Sequence, residues 1–210
     1  MAPAAAPVDA LLFDLGGVLL GIDFKRAFEA WARAAQVPIG EIEARFSFDA
    51  AYEAHERGEI AGVAYFAHVR RQLGVSLTED ELLAGWNAIF LGPPAGIERL
   101  LAQLAKTCPL YVLSNTNPAH RDFWQSRYRA LLAPISAIFC SCDLGERKPS
   151  GSAFLEVCRR VGIAPSRIAF FDDLAANVLG ARAAGLLGFH VSSVDGIRET
   201  LARELRIAFA

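Results

Sequence analysis

The stretch Leu11-Leu12-Phe13-Asp14-Leu15-Gly16-Gly17-Val18-Leu19-Leu20 sets a single carboxylate inside an otherwise apolar run. A run of this kind reads as a buried strand that ends near the acid. The two glycines let the backbone turn sharply and let a ligand come close to the main chain. Burying a carboxylate without a partner is costly. Asp14 therefore either caps a turn at a sheet edge or faces a cation, with a metal or a lysine as the natural choices.

Working outward, the runs 10–15, 110–113, 137–140, 168–171 and 187–191 are apolar, rich in β-branched or aromatic residues, and short enough for buried strands. Helical spacing of apolar residues follows at 96–106, 152–161, 177–184 and 194–205. Strand alternating with helix predicts an α/β fold, a Rossmann-like parallel sheet with helices on both faces. The interval between the first two strands is far longer than the later ones. Its residues 24–90 carry helix-like spacing, with starts near Asp23, between Ile39 and Glu41, between Gly58 and Gly62, and at Thr78-Glu79-Asp80-Glu81. This predicts an inserted four-helix cap over 21–91, and Gly92-Pro93-Pro94 marks the return to a core made of 8–20 and 92–210.

Bulk properties narrow the function classes. The 210 residues suffice for one full core and a smaller unit. Lys and Arg number 21 against 23 Asp and Glu, a net charge of -2 with the signs interspersed. No basic stripe points to nucleic acid. Cys108, Cys140, Cys142 and Cys158 lack both C-x-x-C spacing and the density of a disulfide scaffold, which suits reduced thiols in the cytoplasm. The residues 1–7 lack the basic start and apolar stretch of a signal peptide and read as a short disordered lead. No apolar run reaches the roughly 18 residues needed to span a bilayer. The expectation is a soluble cytoplasmic protein with no membrane partner, a monomer or weak homodimer.

In open parallel sheets, ligands bind beyond the carboxyl ends of the strands. Asp14 follows the first strand, Ser114-Asn115-Thr116-Asn117 the second, a loop ending in Glu146-Arg147-Lys148-Pro149 the third, and Asp172-Asp173 the fourth. This set suits phosphoryl transfer. An aspartate can attack phosphorus, and Mg2+ held by hard oxygen ligands lets it approach a phosphate. Lys148 would hold a phosphate oxygen and keep Asp14 ionised, while Ser114 and the amide of Asn115 donate hydrogen bonds. Each residue also has a plainer reading: Ser114, Asp172 and Asp173 as helix caps, Lys148 as a solvated loop lysine.

Taken in order, Phe13-Asp14-Leu15-Gly16-Gly17-Val18, Val112-Leu113-Ser114-Asn115, Arg147-Lys148-Pro149 and Phe170-Phe171-Asp172-Asp173 resemble the four motifs of the haloacid dehalogenase superfamily of aspartate-nucleophile hydrolases. Within it the chain is most similar to the bacterial alpha-D-glucose-1-phosphate phosphatase group. That likeness rests on His55-Glu56-Arg57-Gly58-Glu59-Ile60, Gly85-Trp86, Ser114-Asn115-Thr116-Asn117 with His120 and Phe123-Trp124, and Asp143-Leu144-Gly145. The resemblance implies Asp14 as nucleophile and metal ligand, a Gly16 carbonyl on the metal, Ser114 and Asn115 on phosphate, and Lys148 orienting it. It implies Asp173 as direct metal ligand and Asp172 acting through water. The cap would select the substrate, with Asp23, Arg45, His55, Glu56 and Trp86 as candidates to touch a sugar.

Two positions depart from the superfamily pattern. Gly16 stands where most of its phosphatases carry a second aspartate, the general acid for the leaving group, whose loss costs roughly 10² to 10⁴ in rate. The glucose-1-phosphate group has glycine there as well, and a sugar hemiacetal leaves more readily than an ordinary alcohol. Leu174-Ala175-Ala176 is less polar than in relatives, although Asn177 keeps a position suited to an outer metal ligand. Three functions follow: a magnesium-dependent phosphatase of a small phosphorylated metabolite, a 2-haloacid dehalogenase using Asp14 on carbon, or a non-catalytic binding protein that keeps the fold.

Overall fold

Strand β1 (Ala10–Phe13) runs through the centre of the sheet with every side chain buried. The computed structural model describes residues 8–207. The expected lead at 1–7 lies outside them. The other strands are β2 (Gly21–Ile22), β3 (Phe90–Gly92), β4 (Leu110–Ser114), β5 (Ala137–Cys140), β6 (Ile168–Asp172) and β7 (Leu187–His190). Five of them form a parallel sheet in the order β5-β4-β1-β6-β7.

Because side chains alternate along a strand, Leu11 and Phe13 enter one core and Ala10 and Leu12 the other. The first core packs under α6 (Ile97–Leu104), α7 (Pro118–Arg127), α8 (Arg129–Leu132) and α12 (Val194–Arg203). The second packs under α10 (Gly151–Val161) and α11 (Ala175–Ala183). With both faces covered, an uninterrupted apolar strand is the stable choice. Phe13, Phe171 and Phe189 stack across β1, β6 and β7 with centroids 5.1 and 5.6 Å apart. Each such burial is worth about 1.5–3 kcal/mol.

β1 stops short of the expected residue 15. Leu15 accepts from Leu19 and Leu20 instead, which turns the chain back just after Asp14. The return passes through the antiparallel pair of β2 and β3, the two crossings into the inserted helices. That insertion holds five helices where the sequence predicts four: α1 (Lys25–Ala35), α2 (Ile39–Arg45), α3 (Ala50–Glu56), α4 (Gly62–Leu73) and α5 (Glu79–Asn87). The additional one is α3, seven residues begun by Asp49, whose side chain accepts from Ala51 and Tyr52. These helices bury a separate core around Trp31 and Trp86, whose rings stack at 6.1 Å. A ninth-to-twelfth ordering is completed by α9 (Ser141–Leu144), a single turn after β5.

Phe171→Ala is expected to destabilise the protein by about 3–5 kcal/mol, the usual loss for a buried aromatic. Urea denaturation should show a lower midpoint at an unchanged slope, since the cavity lies in the shared core and not in the denatured chain.

Candidate active site

Three adjacent strands deliver the polar residues. Asp14 follows β1, Ser114 ends β4 and Asp172 ends β6, so they meet where the strand order turns around β1. Lys148 arrives from the loop after α9 and is 1% exposed. Its Nζ donates to Asp14 Oδ1 at 2.6 Å and to Asp172 Oδ2 at 2.8 Å. The solvated-loop reading of Lys148 is therefore overturned. Asn115 makes the lysine's backbone rigid: its Oδ1 accepts from the Lys148 amide and its Nδ2 donates to the Lys148 carbonyl, both at 2.8 Å. The Asn115 side chain thus serves Lys148, while Asn115 also lines the cavity. Ser114 does not cap α7; Asn117 does, accepting from His120. Ser114 is buried at the cavity wall.

Asp14, Asp172 and Asp173 each present an oxygen within 4.8 Å of the others. Burial pushes the Asp14 carboxyl upward, Lys148 pulls it back, and Asp172 adds to the rise. Asp173 is raised too, by burial and then by Asp172. Three carboxylates against one ammonium leave two negative charges, which a divalent cation would balance. The hydrogen bonds divide the pair of acids. Asp172 accepts from Lys148, from Asn177 Nδ2 at 3.1 and 3.0 Å, and from the Leu174 amide at 2.8 Å. Asp173 Oδ1 is buried with no hydrogen-bond partner among the described residues. An orphaned hard oxygen beside Asp14 fits Mg2+. Gly17 makes this possible: its φ is +88°, and a Cβ there would collide with the Asp173 carboxylate.

Gly16 also lines the cavity. A Cβ on it would meet Ile22 Cδ1 at 3.2 Å, so the isoleucine of β2 fills the space into which a longer side chain would project.

The cavity above the acids measures about 220 Å3. Leu15, Ile22, Phe24, Ile89, Phe90 and Leu174 give it apolar walls, and Tyr52, Glu56, Thr116, His120 and Arg147 its polar edge. Glu56 is 3% exposed, accepts from the Tyr52 hydroxyl at 2.8 Å, and pairs with Arg147 at 2.8 Å. Burial raises its carboxyl, against the pull of Arg147. His120 donates through Nε2 to the Trp86 carbonyl at 2.9 Å and accepts at Nδ1 from Asn117 at 3.2 Å, an assignment set by that network. Burial lowers its pKa to about 3, so it stays neutral.

Of the cap candidates, only Glu56 lines the cavity. Asp23 is exposed and accepts from the Lys25 amide at the start of α1. Arg45 is engaged with Glu41 and the Leu73 carbonyl. Trp86 is fully buried between Trp31 and His120, so its ring is committed to packing. His55 stacks on Tyr65 at 4.3 Å with neither ring nitrogen hydrogen-bonded among the described residues. The sequence reading passed over Tyr52, Ile22, Phe24 and the side chain of Arg147. A Tyr52 to Glu56 pairing at helical spacing was the available signal, hidden because α3 itself was not anticipated.

Gly17→Ala is expected to lower stability by about 1–2 kcal/mol, the cost of a side chain at positive φ, and thermal denaturation reads the loss. Burial lowers the His55 pKa to about 4. Between about 6.5 and 4 the unfolded chain takes up a proton that the folded one refuses, so stability falls with pH at about 1.4 kcal/mol per unit. His55→Phe should make the slope shallower by that share in melting curves collected across this range, while His120, lowered to about 3, keeps its own.

A family model described as haloacid dehalogenase-like hydrolase matches residues 8–185. The chain is 27% identical over 208 residues to phosphatase MT3486 of Mycobacterium tuberculosis, covering 94% of each sequence. It is 24% identical over 173 residues to a D-ribitol-5-phosphate phosphatase of Bacteroides thetaiotaomicron, covering 80% of this chain and 84% of that protein. A crystal structure of a haloacid dehalogenase family enzyme from the same organism, in complex with magnesium and inorganic phosphate, superposes with a TM-score of 0.78 at 27% identity, covering 89% of this chain and 96% of that one. No helix among the described residues is long and apolar enough to cross a membrane. The chain belongs to the haloacid dehalogenase-like hydrolase family and is a phosphatase of that kind.

Proposed function

We propose that this phosphatase is magnesium-dependent and acts on a small phosphomonoester, with sugar phosphates such as alpha-D-glucose 1-phosphate as the substrate class. The observation that carries this reading is the buried Lys148 ammonium bonded to Asp14 and Asp172 beside the open oxygen of Asp173. Asp14 and Asp173, with the Gly16 carbonyl, would hold Mg2+, and Asp172 would act from the outer shell, since its oxygens already accept four hydrogen bonds. The ion would supply charge neutralisation that lets anionic carboxylate and phosphate approach.

Asp14 attacks phosphorus, forming one P–O bond as the ester P–O bond breaks. Lys148, Ser114 and the Asn115 amide hold the equatorial oxygens as charge moves onto them. The departing oxygen takes a proton from a water molecule, and the hydroxide left attacks phosphorus as the bond to Asp14 breaks, so hydrogen phosphate leaves and the Asp14 carboxylate is restored. With Gly16 supplying no acid, a leaving oxygen of low basicity is favoured, and an anomeric oxygen has that property. A relative is named for D-ribitol 5-phosphate, a primary ester with a more basic leaving oxygen, so that compound is the substrate that challenges this preference.

A panel of glucose 1-phosphate, glucose 6-phosphate, ribitol 5-phosphate and p-nitrophenyl phosphate, with magnesium or EDTA, decides the matter. Turnover of the anomeric ester above the primary esters is expected, with loss in EDTA and a fall of roughly 10⁴ or more for Asp14→Asn. Equal activity of wild type and Asp14→Asn overturns the mechanism. Chloride release from 2-chloropropionate insensitive to EDTA would favour the dehalogenase, and ligand-induced stabilisation without turnover a binding protein.

A further inference from the structure

Arg147 immediately precedes Lys148, yet its side chain leaves the sheet edge and enters the cap. Its Nη1 reaches Glu53 Oε1 at 2.8 Å, and its Nε and Nη2 both reach Glu56 Oε2, at 2.9 and 2.8 Å. Both acids belong to α3, and Glu56 is braced by the Tyr52 hydroxyl. The same end of α3 is pressed on the core a second time. Gly58, at φ +72°, lies so close to the Cys142 carbonyl that a Cβ would collide with it.

On the core side, the Lys148 peptide is gripped by Asn115. Pro149, next along, has its carbonyl packed on Gly180 of α11, where a Cβ would not fit. Those contacts fix the lysine from below and behind. The third anchor comes from the cap.

We infer that Arg147 is a positioning residue through which the docking of α3 sets the placement of Lys148 between Asp14 and Asp172. A guanidinium that sets Nε and Nη2 on one buried carboxylate oxygen and Nη1 on a second acid of the same helix is fixed in orientation, so the main chain at residue 147 is tied to α3. When α3 lifts away, Arg147 loses that geometry and the adjacent lysine loses one of three constraints. Cap docking and charge neutralisation at phosphorus are thereby one event.

The test is a mutant cycle on full-length protein: Arg147→Gln, Glu56→Gln, the double variant and Arg147→Lys, assayed with p-nitrophenyl phosphate and magnesium. If Arg147 acts through Glu56, each single variant loses about tenfold in kcat with a smaller change in KM. The double variant is no worse than twofold below either single one, and Arg147→Lys recovers part of the loss. Multiplied losses, a change confined to KM, or unchanged kcat would overturn the coupling. Amide hydrogen exchange gives a readout independent of turnover. Faster exchange in both α3 and residues 147–148 of each single variant is expected, and faster exchange in α3 alone overturns the inference. The kinetic arm rests on the phosphatase reading. A wild type without turnover would refute that reading and leave the exchange measurement to judge the coupling.

Discussion

One buried ammonium holds this architecture in its working form. Lys148 sits between Asp14 and Asp172 with almost no solvent contact, and taking three charges from water is expensive. Such a triad persists only where the remaining oxygens are satisfied and the geometry is enforced from outside. Asp172 meets the first condition with Asn177 and the Leu174 amide. The second is met by Asn115 on the lysine's own peptide and by Arg147 on the cap. Removing one partner of such an arrangement costs about 3–5 kcal/mol, so the elements that position these groups are bound to one another energetically.

The sheet explains why the groups meet at all. β1 is flanked by β4 and β6, and parallel strands in register end together, so residues far apart in sequence come out on one edge. The carboxylates there repel each other, and Lys148 opposes them. Gly17 lets Asp173 close on Asp14 without a methyl in between. What makes the site poor as a stabilising element, surplus negative charge around an unpaired oxygen, is what suits it to a divalent cation and a phosphate.

The strands, their parallel arrangement and the convergence of Asp14, Lys148, Asp172 and Asp173 were legible in the sequence because each is a local signal: a short apolar run, or a polar residue just after one. The cap was legible only as an insertion. Helix α3 lies inside a stretch with continuous helix-like spacing, and its start is marked only by the Asp49 cap. With α3 unseen, Glu56 could be named but Tyr52 and the reach of Arg147 could not. Asp23, Arg45, His55 and Trp86 failed as cavity residues for a different reason. Polar or aromatic character marks a residue as able to touch a substrate, while tertiary packing decides whether it does, and Trp86 is spent on Trp31 and His120.

Gly16 looks different once its surroundings are known. Read as sequence, it is a missing acid. In the fold it is a position whose neighbouring space belongs to Ile22, on the strand that leads into the cap. A side chain there would make Ile22 shift by a few tenths of an ångström, and a carboxylate would add a fourth negative charge beside Asp14, Asp172 and Asp173. Glycine relieves both conflicts, at the expense of a proton donor for the leaving group. His120 cannot fill that role, since its Nε2 proton is committed to the Trp86 carbonyl and burial keeps the ring neutral. Ile22, Phe24 and Leu174 line the same cavity with apolar side chains. Under the proposed reaction, selectivity would come from the leaving group's own basicity and from the polar edge at Tyr52, Glu56 and Arg147, on the side of the cavity where α3 docks.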